Sequence, residues 1–314
     1  MKQLTICILG GSGFVGRHLS VELANRGHFI KILTRRRERH RELLVLPNVQ
    51  VIEANVHNEA QLNEQFKNCD VVVNLVGILN EKGFNGKGFQ FAHVELAHKV
   101  ITACTSCKVP RLLHMSALNA DPDEKSFYLR TKGEAENYVH NFAINKINVT
   151  SFRPSVIFGP EDDFLNRFAT ILKITPWVFP LACADAKFAP VYVGDVVKVM
   201  ADSLDDPNSA GKRLNLCGPK QYSLKQLVQY VAVTCGYKRI VFGLPDFSSK
   251  LQAKVLERFP GKPFSMDNYH SLQKDSICNE ENLCQTSLES IAPKYLKNKS
   301  SKSSFYKYRT KHNH

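Results

Sequence analysis

The chain has 314 residues, of which 43% are hydrophobic and 23% charged, so it can bury a sizeable core and is not a disordered protein. No apolar run approaches the roughly 18 residues that a membrane-spanning helix needs, which excludes an integral membrane protein built on such helices. The nine cysteines are scattered and odd in number, so they predict thiols in a reducing compartment rather than a disulfide framework. No targeting segment is apparent, which favours the cytoplasm.

The charge of +13 is concentrated in two short segments. Residues 298–314 hold five Lys or Arg and no acid, and residues 35–41 hold five arginines and one glutamate. A basic tail can attract anionic lipid, nucleic acid or an acidic partner. The alternative is a solvated, disordered end that contacts nothing.

The first half of the sequence alternates between strands and helices. Apolar, β-rich runs predict strands at 4–9, 29–33, 49–52, 70–79, 111–115 and 149–158. Apolar residues spaced four apart predict a helix at 14–26, and further helices are predicted at 89–107 and 124–145. Nearly continuous apolar strands are typical of parallel sheets covered on both faces. The predicted fold class is therefore α/β, a doubly wound parallel Rossmann sheet.

The elements after Pro160 are shorter and less regular. The pattern predicts helices at 164–174, 195–204 and 223–235, the last capped by Ser223, and strands at 191–193 and 213–217. We expect these to form a smaller C-terminal lobe. The predicted organisation is a nucleotide-binding Rossmann domain over 1–160, a substrate-type lobe over 161–296 that interleaves with the Rossmann edge, and a basic tail over 297–314.

A glycine-rich turn between the first strand and the first helix gives the clearest functional signal. Gly10 allows a tight turn, Gly13 lets the backbone approach a pyrophosphate, and Gly16 lets the helix pack close to the strand. The helix N-terminus offers its N–H groups to the anion. The alternative is a glycine-rich turn without a ligand. The predicted pyrophosphate-binding residues are Gly10, Ser12, Gly13, Phe14, Val15 and Gly16.

The second predicted strand is followed by arginines where an NAD site carries an acid for the ribose hydroxyls. Arg35 and Arg36 suit a 2′-phosphate, because a guanidinium pairs with phosphate through two hydrogen bonds. The sequence therefore favours NADP(H), with NAD(H) as the other option. The alternative is that these arginines are merely solvated.

Tyr128 and Lys132 lie four residues apart on a predicted helix and so share one face. A nearby ammonium lowers the pKa of a phenol, which lets it pass a proton to or from a carbonyl or alcohol. Ser116 follows the fifth strand and could polarise the same oxygen, or it could be an ordinary capping serine. These three are the candidate catalytic residues. The eleven histidines show no metal-ligand spacing, so we expect no metal site.

In combination and order, several motifs resemble the extended short-chain dehydrogenase/reductases of the NAD-dependent epimerase/dehydratase superfamily. Within them, the chain is similar to the atypical branch named after the nucleotide-binding accessory subunit of respiratory complex I, which has many bacterial relatives. The resemblance runs from about residue 4 to about residue 293. It is carried by residues 10–16, 73–79, 115–118, 152–160, 190–196 and 216–219, together with Tyr128 and Lys132.

The resemblance implies how a dinucleotide would be bound. The glycines would hold the pyrophosphate, and Arg35 together with Arg36 would hold the 2′-phosphate. The other implied contacts are Asn55 and Val56 with the adenine, Val76 and Gly77 with its ribose, Tyr128 and Lys132 with the nicotinamide ribose, and Pro154 and Ser155 with the nicotinamide.

Three positions depart from the family pattern. Asn55 stands where these enzymes commonly carry aspartate, and His93 stands where catalytic members have an asparagine that relays protons. Ser116 is twelve residues before Tyr128, a shorter interval than usual.

Two functions compete. The first is a nucleotide-binding protein that supports respiratory complex I or ubiquinone metabolism, with a largely structural nucleotide and peripheral contact with the inner face of the cell membrane through the tail. The second is a working NADP-dependent reductase, epimerase or dehydratase on a small substrate. No nucleic acid partner is expected in either case.

Overall fold

A computed structural model describes residues 2–144, 146–279 and 283–297. The predicted basic segment 298–314 lies outside these residues. The described chain divides into two compact units. The first contains residues up to 154 together with 196–216, and the second contains residues 155–195 together with those from 217 onward.

The bounds of the elements within the described residues are as follows. The strands are β1 (Thr5–Leu9), β2 (Phe29–Thr34), β3 (Val49–Glu53), β4 (Val71–Asn74), β5 (Arg111–Met115), β6 (Asn148–Pro154), β7 (Ile157–Phe158), β8 (Val178–Leu181), β9 (Lys187–Phe188), β10 (Val191–Tyr192), β11 (Arg213–Leu216), β12 (Tyr222–Ser223) and β13 (Ile240–Gly243). The helices are α1 (Phe14–Asn25), α2 (Glu59–Phe66), α3 (Lys87–Phe89), α4 (Leu96–Ser106), α5 (Phe127–Ala143), α6 (Leu165–Ile174), α7 (Val193–Asp202), α8 (Leu224–Thr234), α9 (Asp246–Leu256) and α10 (Met266–Ser271). A π-helical turn (Gln90–Glu95) joins α3 to α4, and residues 288–297 are also helical.

The first unit is built on a parallel sheet of seven strands in the order β11-β6-β5-β4-β1-β2-β3. The order reverses between β1 and β4, which is the switch point where dinucleotides bind in doubly wound sheets. Successive residues of β1 alternate between the two faces, yet Ile6, Cys7, Ile8 and Leu9 are all fully buried. Both faces are therefore covered, and the predicted doubly wound parallel sheet is confirmed.

Helices α2, α4 and α5 pack together over one face of this sheet. Their buried side chains include Leu62 and Phe66 of α2, Val100 of α4 and Val139 of α5. Helix α2 has no counterpart among the predicted elements, because its two core positions are separated by polar residues. Asn58 begins it by accepting a hydrogen bond from the Gln61 N–H through its side chain.

Several predicted elements are shorter or less regular than the apolar pattern suggests. The predicted strand 70–79 stops at Asn74, whose side-chain oxygen accepts the Val76 N–H at 3.2 Å and turns the chain out of the sheet. The predicted strand 149–158 divides after Pro154, and its second part pairs with β10 instead. The predicted helix 89–107 contains the π-helical turn.

The boundary between the units differs from the predicted division at residue 160. Strand β11 pairs with β6 and forms the edge of the large sheet, although the sequence assigns it to the smaller lobe. The Arg111 guanidinium holds the returning segment by donating to the Ser203 carbonyl (3.0 Å) and Ser209 Oγ (2.7 Å), and it also donates to Thr150 Oγ1 of β6 (2.7 Å). Because these partners are distant in sequence, no local pattern reveals that 196–216 returns to the first unit.

The second unit has its own apolar core, in which α6 and α8 pack together with the helix at 288–297. Asp162 orders the start of α6, since its carboxylate accepts the Leu165 N–H at 2.6 Å and the Tyr295 hydroxyl at 2.8 Å. Ser223 begins α8 by accepting the Gln226 N–H at 3.1 Å, as predicted.

A disulfide joins Cys217 to Cys278 in the second unit, so the expectation that the cysteines are all thiols is wrong for this pair. The two residues lie 61 positions apart, and nothing in their spacing marks them as partners. The other seven cysteines are thiols. No helix in the described part of the chain has the length and apolar character needed to cross a membrane.

Candidate functional site

The turn after β1 brings three glycines into close contact. Gly10 adopts a left-handed conformation (φ +77°), and its carbonyl accepts the Gly13 N–H at 3.0 Å. A Cβ on Gly16 would collide with the Gly10 carbonyl and the Gly11 backbone. A Cβ on Gly10 would lie 3.2 Å from the Val76 nitrogen, so this turn also touches the chain that follows β4. Only glycine fits these contacts.

Helix α1 begins directly after this turn. Gly13 is its N-cap residue, with an extended backbone and no side-chain cap, so the amides of Phe14, Val15 and Gly16 form an N-terminus that no side chain covers. Such an N-terminus carries partial positive charge and binds anions. Ser12 Oγ lies 3.4 Å from Thr34 Oγ1, which connects the turn to the end of β2.

Arg35 and Arg36 directly follow β2, and both are exposed. Neither guanidinium forms an ion pair with another described side chain. The backbone N–H of Arg36 donates a weak hydrogen bond to Thr34 Oγ1 at 3.5 Å, and Ser12 contacts the same hydroxyl. The two arginines and the glycine turn therefore lie at neighbouring strand ends, where a ligand on the turn can extend towards free cationic groups.

Asn55 forms the turn that precedes α2. Its side-chain oxygen accepts the His57 N–H at 3.0 Å, and its own N–H donates to Gln61 Oε1 at 2.7 Å. The half-buried Val56 packs against the core of the first unit. An amide oxygen makes the same local hydrogen bond that a carboxylate would make, so asparagine preserves this turn while removing a negative charge.

The segment after β4 lies against two buried basic side chains. The Ile78 N–H donates to His93 Nε2 at 3.1 Å. A Cβ on Gly77 would lie 3.1 Å from Lys132 Nζ and 3.6 Å from His93 Nε2. Val76 and Gly77, predicted to border a ribose, are thus directly connected to Lys132 and to the glycine turn through Gly10.

Lys132 is 4% exposed, and its ammonium donates to the Met115 carbonyl at 2.9 Å. Burial lowers the pKa of Lys132 to about 8, against the opposing effect of the Glu136 carboxylate. Tyr128 lies one helical turn earlier on α5, and its half-buried ring meets the His93 ring edge-to-face with centroids 5.7 Å apart. The predicted tyrosine–lysine pair therefore shares its surroundings with His93.

His93 belongs to the π-helical turn, a feature that frequently occurs at functional sites. Because its Nε2 accepts the Ile78 N–H, its Nδ1 carries the proton and donates to Thr131 Oγ1 at 2.8 Å. Thr131 Oγ1 in turn donates to the Phe127 carbonyl at 2.7 Å. Burial and the Lys132 charge lower the pKa of His93 to about 2. His93 is therefore neutral, and protonation would break its bond to Ile78.

Ser116 is directed into a buried ionic network. Its hydroxyl donates to Glu136 Oε2 at 2.9 Å, and Arg153 Nε lies 2.9 Å from both oxygens of the fully buried Glu136 carboxylate. Arg213 Nε lies 3.4 Å from the same carboxylate. Glu136 is not among the predicted site residues, although its position four residues after Lys132 places it on the same face of α5.

Pro154 and Ser155 fall on either side of the boundary between the units. The Pro154 carbonyl accepts the Leu118 N–H at 3.0 Å in the first unit. Ser155 Oγ donates to the Ser276 carbonyl at 2.7 Å in the second. Within the first unit, the structure thus brings together the glycine turn, Val76, Gly77, Lys132 and Tyr128 through shared neighbours.

Comparison with known proteins identifies close relatives. The family model described as "NAD dependent epimerase/dehydratase family" matches residues 6–217. The 40 kDa subunit of mitochondrial NADH-ubiquinone oxidoreductase from Neurospora crassa is 30% identical over 259 residues, which cover 81% of this chain and 66% of that protein. Subunit 9 of the NADH dehydrogenase 1 alpha subcomplex from Mus musculus is 29% identical, covering 82% and 68%. The chain thus spans about two thirds of the length of these relatives.

Solved structures show the same fold. UDP-glucuronic acid 4-epimerase from Bacillus cereus, in complex with UDP-glucuronic acid and NAD, superimposes with a TM-score of 0.70 over 94% of this chain and 99% of that one. Its sequence is 19% identical, so the likeness establishes the fold alone.

The buried ammonium of Lys132 makes stability depend on pH. Its pKa is about 8 in the folded protein and 10.5 for an ordinary exposed lysine, so between these values the unfolded chain binds the additional proton and stability rises with pH. We expect the wild type to gain about 2 kcal/mol over Lys132→Met between about pH 8 and pH 9.5, measured by urea unfolding. The exposed Lys125→Met is the control, and it should follow the wild type. Parallel pH profiles for wild type and Lys132→Met would contradict the assignment.

Proposed function

Since the chain belongs to the NAD-dependent epimerase/dehydratase family, we propose that it binds a nicotinamide dinucleotide as a largely structural ligand and supports respiratory complex I or ubiquinone metabolism. The proposal rests above all on the turn of Gly10, Gly13 and Gly16, where side chains are excluded and an uncovered helix N-terminus begins. That cradle suits a pyrophosphate, which needs close backbone approach and free N–H groups.

The residues around the cradle suit the rest of a dinucleotide. Gly77 and Val76 would border the adenine-side ribose, Asn55 the adenine, and Lys132 with Tyr128 the nicotinamide ribose. When bound, a nicotinamide can accept or deliver hydride. The protein's own contribution is to hold Lys132 buried at the Met115 carbonyl, with a pKa lowered to about 8, and to keep the chain after β4 in place.

The arginines after β2 favour NADP(H) over NAD(H). Both are exposed and lack an ion-pair partner among the described side chains. A 2′-phosphate would therefore pair with a guanidinium without breaking an existing ion pair to another acid. A 2′-hydroxyl would find no carboxylate at residues 34–37.

Two contacts support a structural rather than a catalytic role for the nucleotide. Burial and the Lys132 charge keep His93 neutral, and its ring is hydrogen-bonded to the Ile78 N–H and Thr131, so it cannot relay protons without disrupting the segment at 76–78. The Ser116 hydroxyl already donates its hydrogen bond to the buried Glu136 carboxylate. Tyr128 and Lys132 remain one helical turn apart on α5 and are the candidate proton-transfer pair.

The relatives supply the support for a respiratory role. The matched proteins from Neurospora crassa and Mus musculus are named as subunits of mitochondrial NADH dehydrogenases that act with ubiquinone. The similarity to these two proteins extends over 81% and 82% of this chain. Attachment to a membrane-bound respiratory complex, on the inner face of the membrane, follows as a proposal.

An active NADP-dependent reductase, epimerase or dehydratase is the second candidate. Tyr128 and the buried Lys132 with its lowered pKa favour it, since such a pair can transfer a proton to a carbonyl or alcohol oxygen.

If Arg35 and Arg36 bind the 2′-phosphate, replacing them should cause a selective loss of affinity for the phosphorylated nucleotide. We expect Arg35→Gln/Arg36→Gln to weaken NADPH binding by about tenfold or more and leave NADH binding unchanged, because a charge-assisted contact with phosphate contributes about 1.5–3 kcal/mol. Isothermal titration with both nucleotides measures this. Arg39→Gln, from the same exposed cluster, is the matched control. Equal or tighter binding of NADH by the wild type would refute the NADP(H) preference.

The two candidate functions differ in what Tyr128 does. If the nucleotide is structural, Tyr128→Phe should bind NADPH as the wild type does, and neither protein should oxidise NADPH with phenanthrenequinone as a general carbonyl probe. Absorbance of NADPH follows the reaction. A protein-dependent rate that Tyr128→Phe lowers by about 10²–10⁴-fold would establish the second candidate instead, since that is the usual range for a proton-transfer residue.

The basic segment 298–314 supports peripheral contact with an anionic membrane. Each Lys or Arg near such a surface contributes roughly 1 kcal/mol, and the aromatics Phe305, Tyr306 and Tyr308 can sit at the headgroup level. We expect a chain truncated after Leu296 to sediment with anionic vesicles markedly less than the full chain at low salt. Equal sedimentation of the two forms would show that the tail is not an anchor.

A further inference from the structure

The small sheet of the second unit turns an apolar face outward. Strands β8 and β13 pair in parallel, with Ile240 opposite Val178 and Phe242 opposite Pro180. Side chains alternate across a strand, and Val241 is buried while Ile240 and Phe242 are 68% and 42% exposed. The outward face of an exposed sheet is ordinarily polar. Here all four of its residues are apolar.

The entry to β8 extends this apolar character. Trp177, the chain's single tryptophan, is 81% exposed, and its carbonyl accepts the Ile240 N–H at 2.9 Å. Ile174, at the end of α6, is 80% exposed. Large apolar side chains that are this exposed and this close together mark an interaction surface rather than scattered surface residues.

Helix α9 lies beside the same sheet, since the Gln252 side chain donates to the Pro180 carbonyl at 3.2 Å. Phe247, Leu251 and Val255 are spaced four residues apart and are all exposed, so they form one row along the outer side of the helix. Phe247 alone is 78% exposed. A soluble helix normally places such a row against a core.

A basic row runs next to this apolar row. Lys254 and Arg258 are exposed and form no ion pair with a described side chain. The acids of the helix are already engaged, because Asp246 pairs with Lys250 at 2.8 Å and Glu257 accepts a backbone N–H. The outer side of α9 is therefore an apolar row with Lys254 beside it and Arg258 just after the helix end, two cations that no described acid pairs with. An anionic bilayer offers the complementary arrangement, with acyl chains beneath negative headgroups.

We propose that these residues form a second membrane-contact surface, here called the lipid face, which inserts shallowly into the headgroup region of an anionic bilayer. It consists of Trp177, Val178, Ile240, Phe242, Phe247 and Leu251, with Lys254 and Arg258 beside them. Tryptophan and phenylalanine are suited to that depth, and lysine and arginine can extend to the phosphates. The proposal deepens the membrane part of the proposed function but uses folded residues of the second unit, not the segment 298–314.

Trp177 reports on this surface directly, because the chain has no other tryptophan. The full chain is mixed with vesicles of equal parts phosphatidylcholine and phosphatidylglycerol, and emission is recorded together with sedimentation. Insertion should move the emission to shorter wavelength and allow quenching by brominated acyl chains. Pure phosphatidylcholine vesicles should give a much smaller effect, because they lack the negative headgroups.

Substitutions separate the two rows. Phe247→Gln/Leu251→Gln should lower vesicle affinity by about tenfold or more, since two large apolar groups no longer leave water. Lys254→Gln/Arg258→Gln should lower affinity for the anionic vesicles and flatten its salt dependence. Ile144→Gln, which replaces an exposed apolar residue of the first unit, is the control and should bind as the wild type does. Circular dichroism confirms that each variant is folded.

The outcomes distinguish the lipid face from the tail. Sedimentation without any change in Trp177 emission or quenching would overturn the lipid face while leaving the tail as an anchor. Absence of sedimentation at low salt would overturn both. Neither result bears on nucleotide binding by the first unit, which is measured separately by titration with the nucleotide. A protein partner covering this surface would appear as wild-type vesicle binding by Phe247→Gln/Leu251→Gln, which also overturns the proposal.

Discussion

The close approach of helix α1 to the turn after β1 is the constraint on which the first unit depends. The Gly10 carbonyl lies where a Cβ on Gly16 would be, and Gly10 itself lies against the Val76 backbone. Any side chain at Gly16 would push the helix away from the strand and displace its N-terminus, which is proposed to bind an anion. The same contact sets the position of the chain after β4, and through it the surroundings of Lys132. The close approach of these backbones thereby links the position of the helix N-terminus to that of the chain after β4, the two regions proposed to bind the pyrophosphate and a ribose.

The buried polar groups around α5 explain how that helix can carry an ammonium inside the protein. Lys132 has the Met115 carbonyl as its partner, while Glu136 one turn later is surrounded by Ser116 and Arg153. Lys132 and Glu136 both have partners, which is what burial of a charged group requires. Ser116 and His93 are both engaged in buried hydrogen bonds, to Glu136 and to the Ile78 N–H. These bonds agree with the proposed structural role of the nucleotide.

The sequence predicts the sheet, the glycine turn and the tyrosine–lysine pair because each depends on local spacing. The turn needs glycines three apart between a strand and a helix, and Tyr128 and Lys132 need only be four apart on one helix. The membership of 196–216 in the first unit could not be predicted, since it depends on Arg111 reaching residues about ninety positions away. The roles of His93 and Glu136 depend on partners in other elements, and so does the pairing of Cys217 with Cys278. The exposed row on α9 has the spacing of a core-facing helix, and only the structure shows that it faces outward.

The most direct test of a structural nucleotide is to identify what the protein carries when it is isolated. Purified full-length protein would be examined by native mass spectrometry, and the ligand released on denaturation would be separated by chromatography. We expect one NADP(H) for each chain, retained through purification and unchanged in redox state when carbonyl compounds are added. A folded protein that carries no nucleotide and binds none on addition would contradict it.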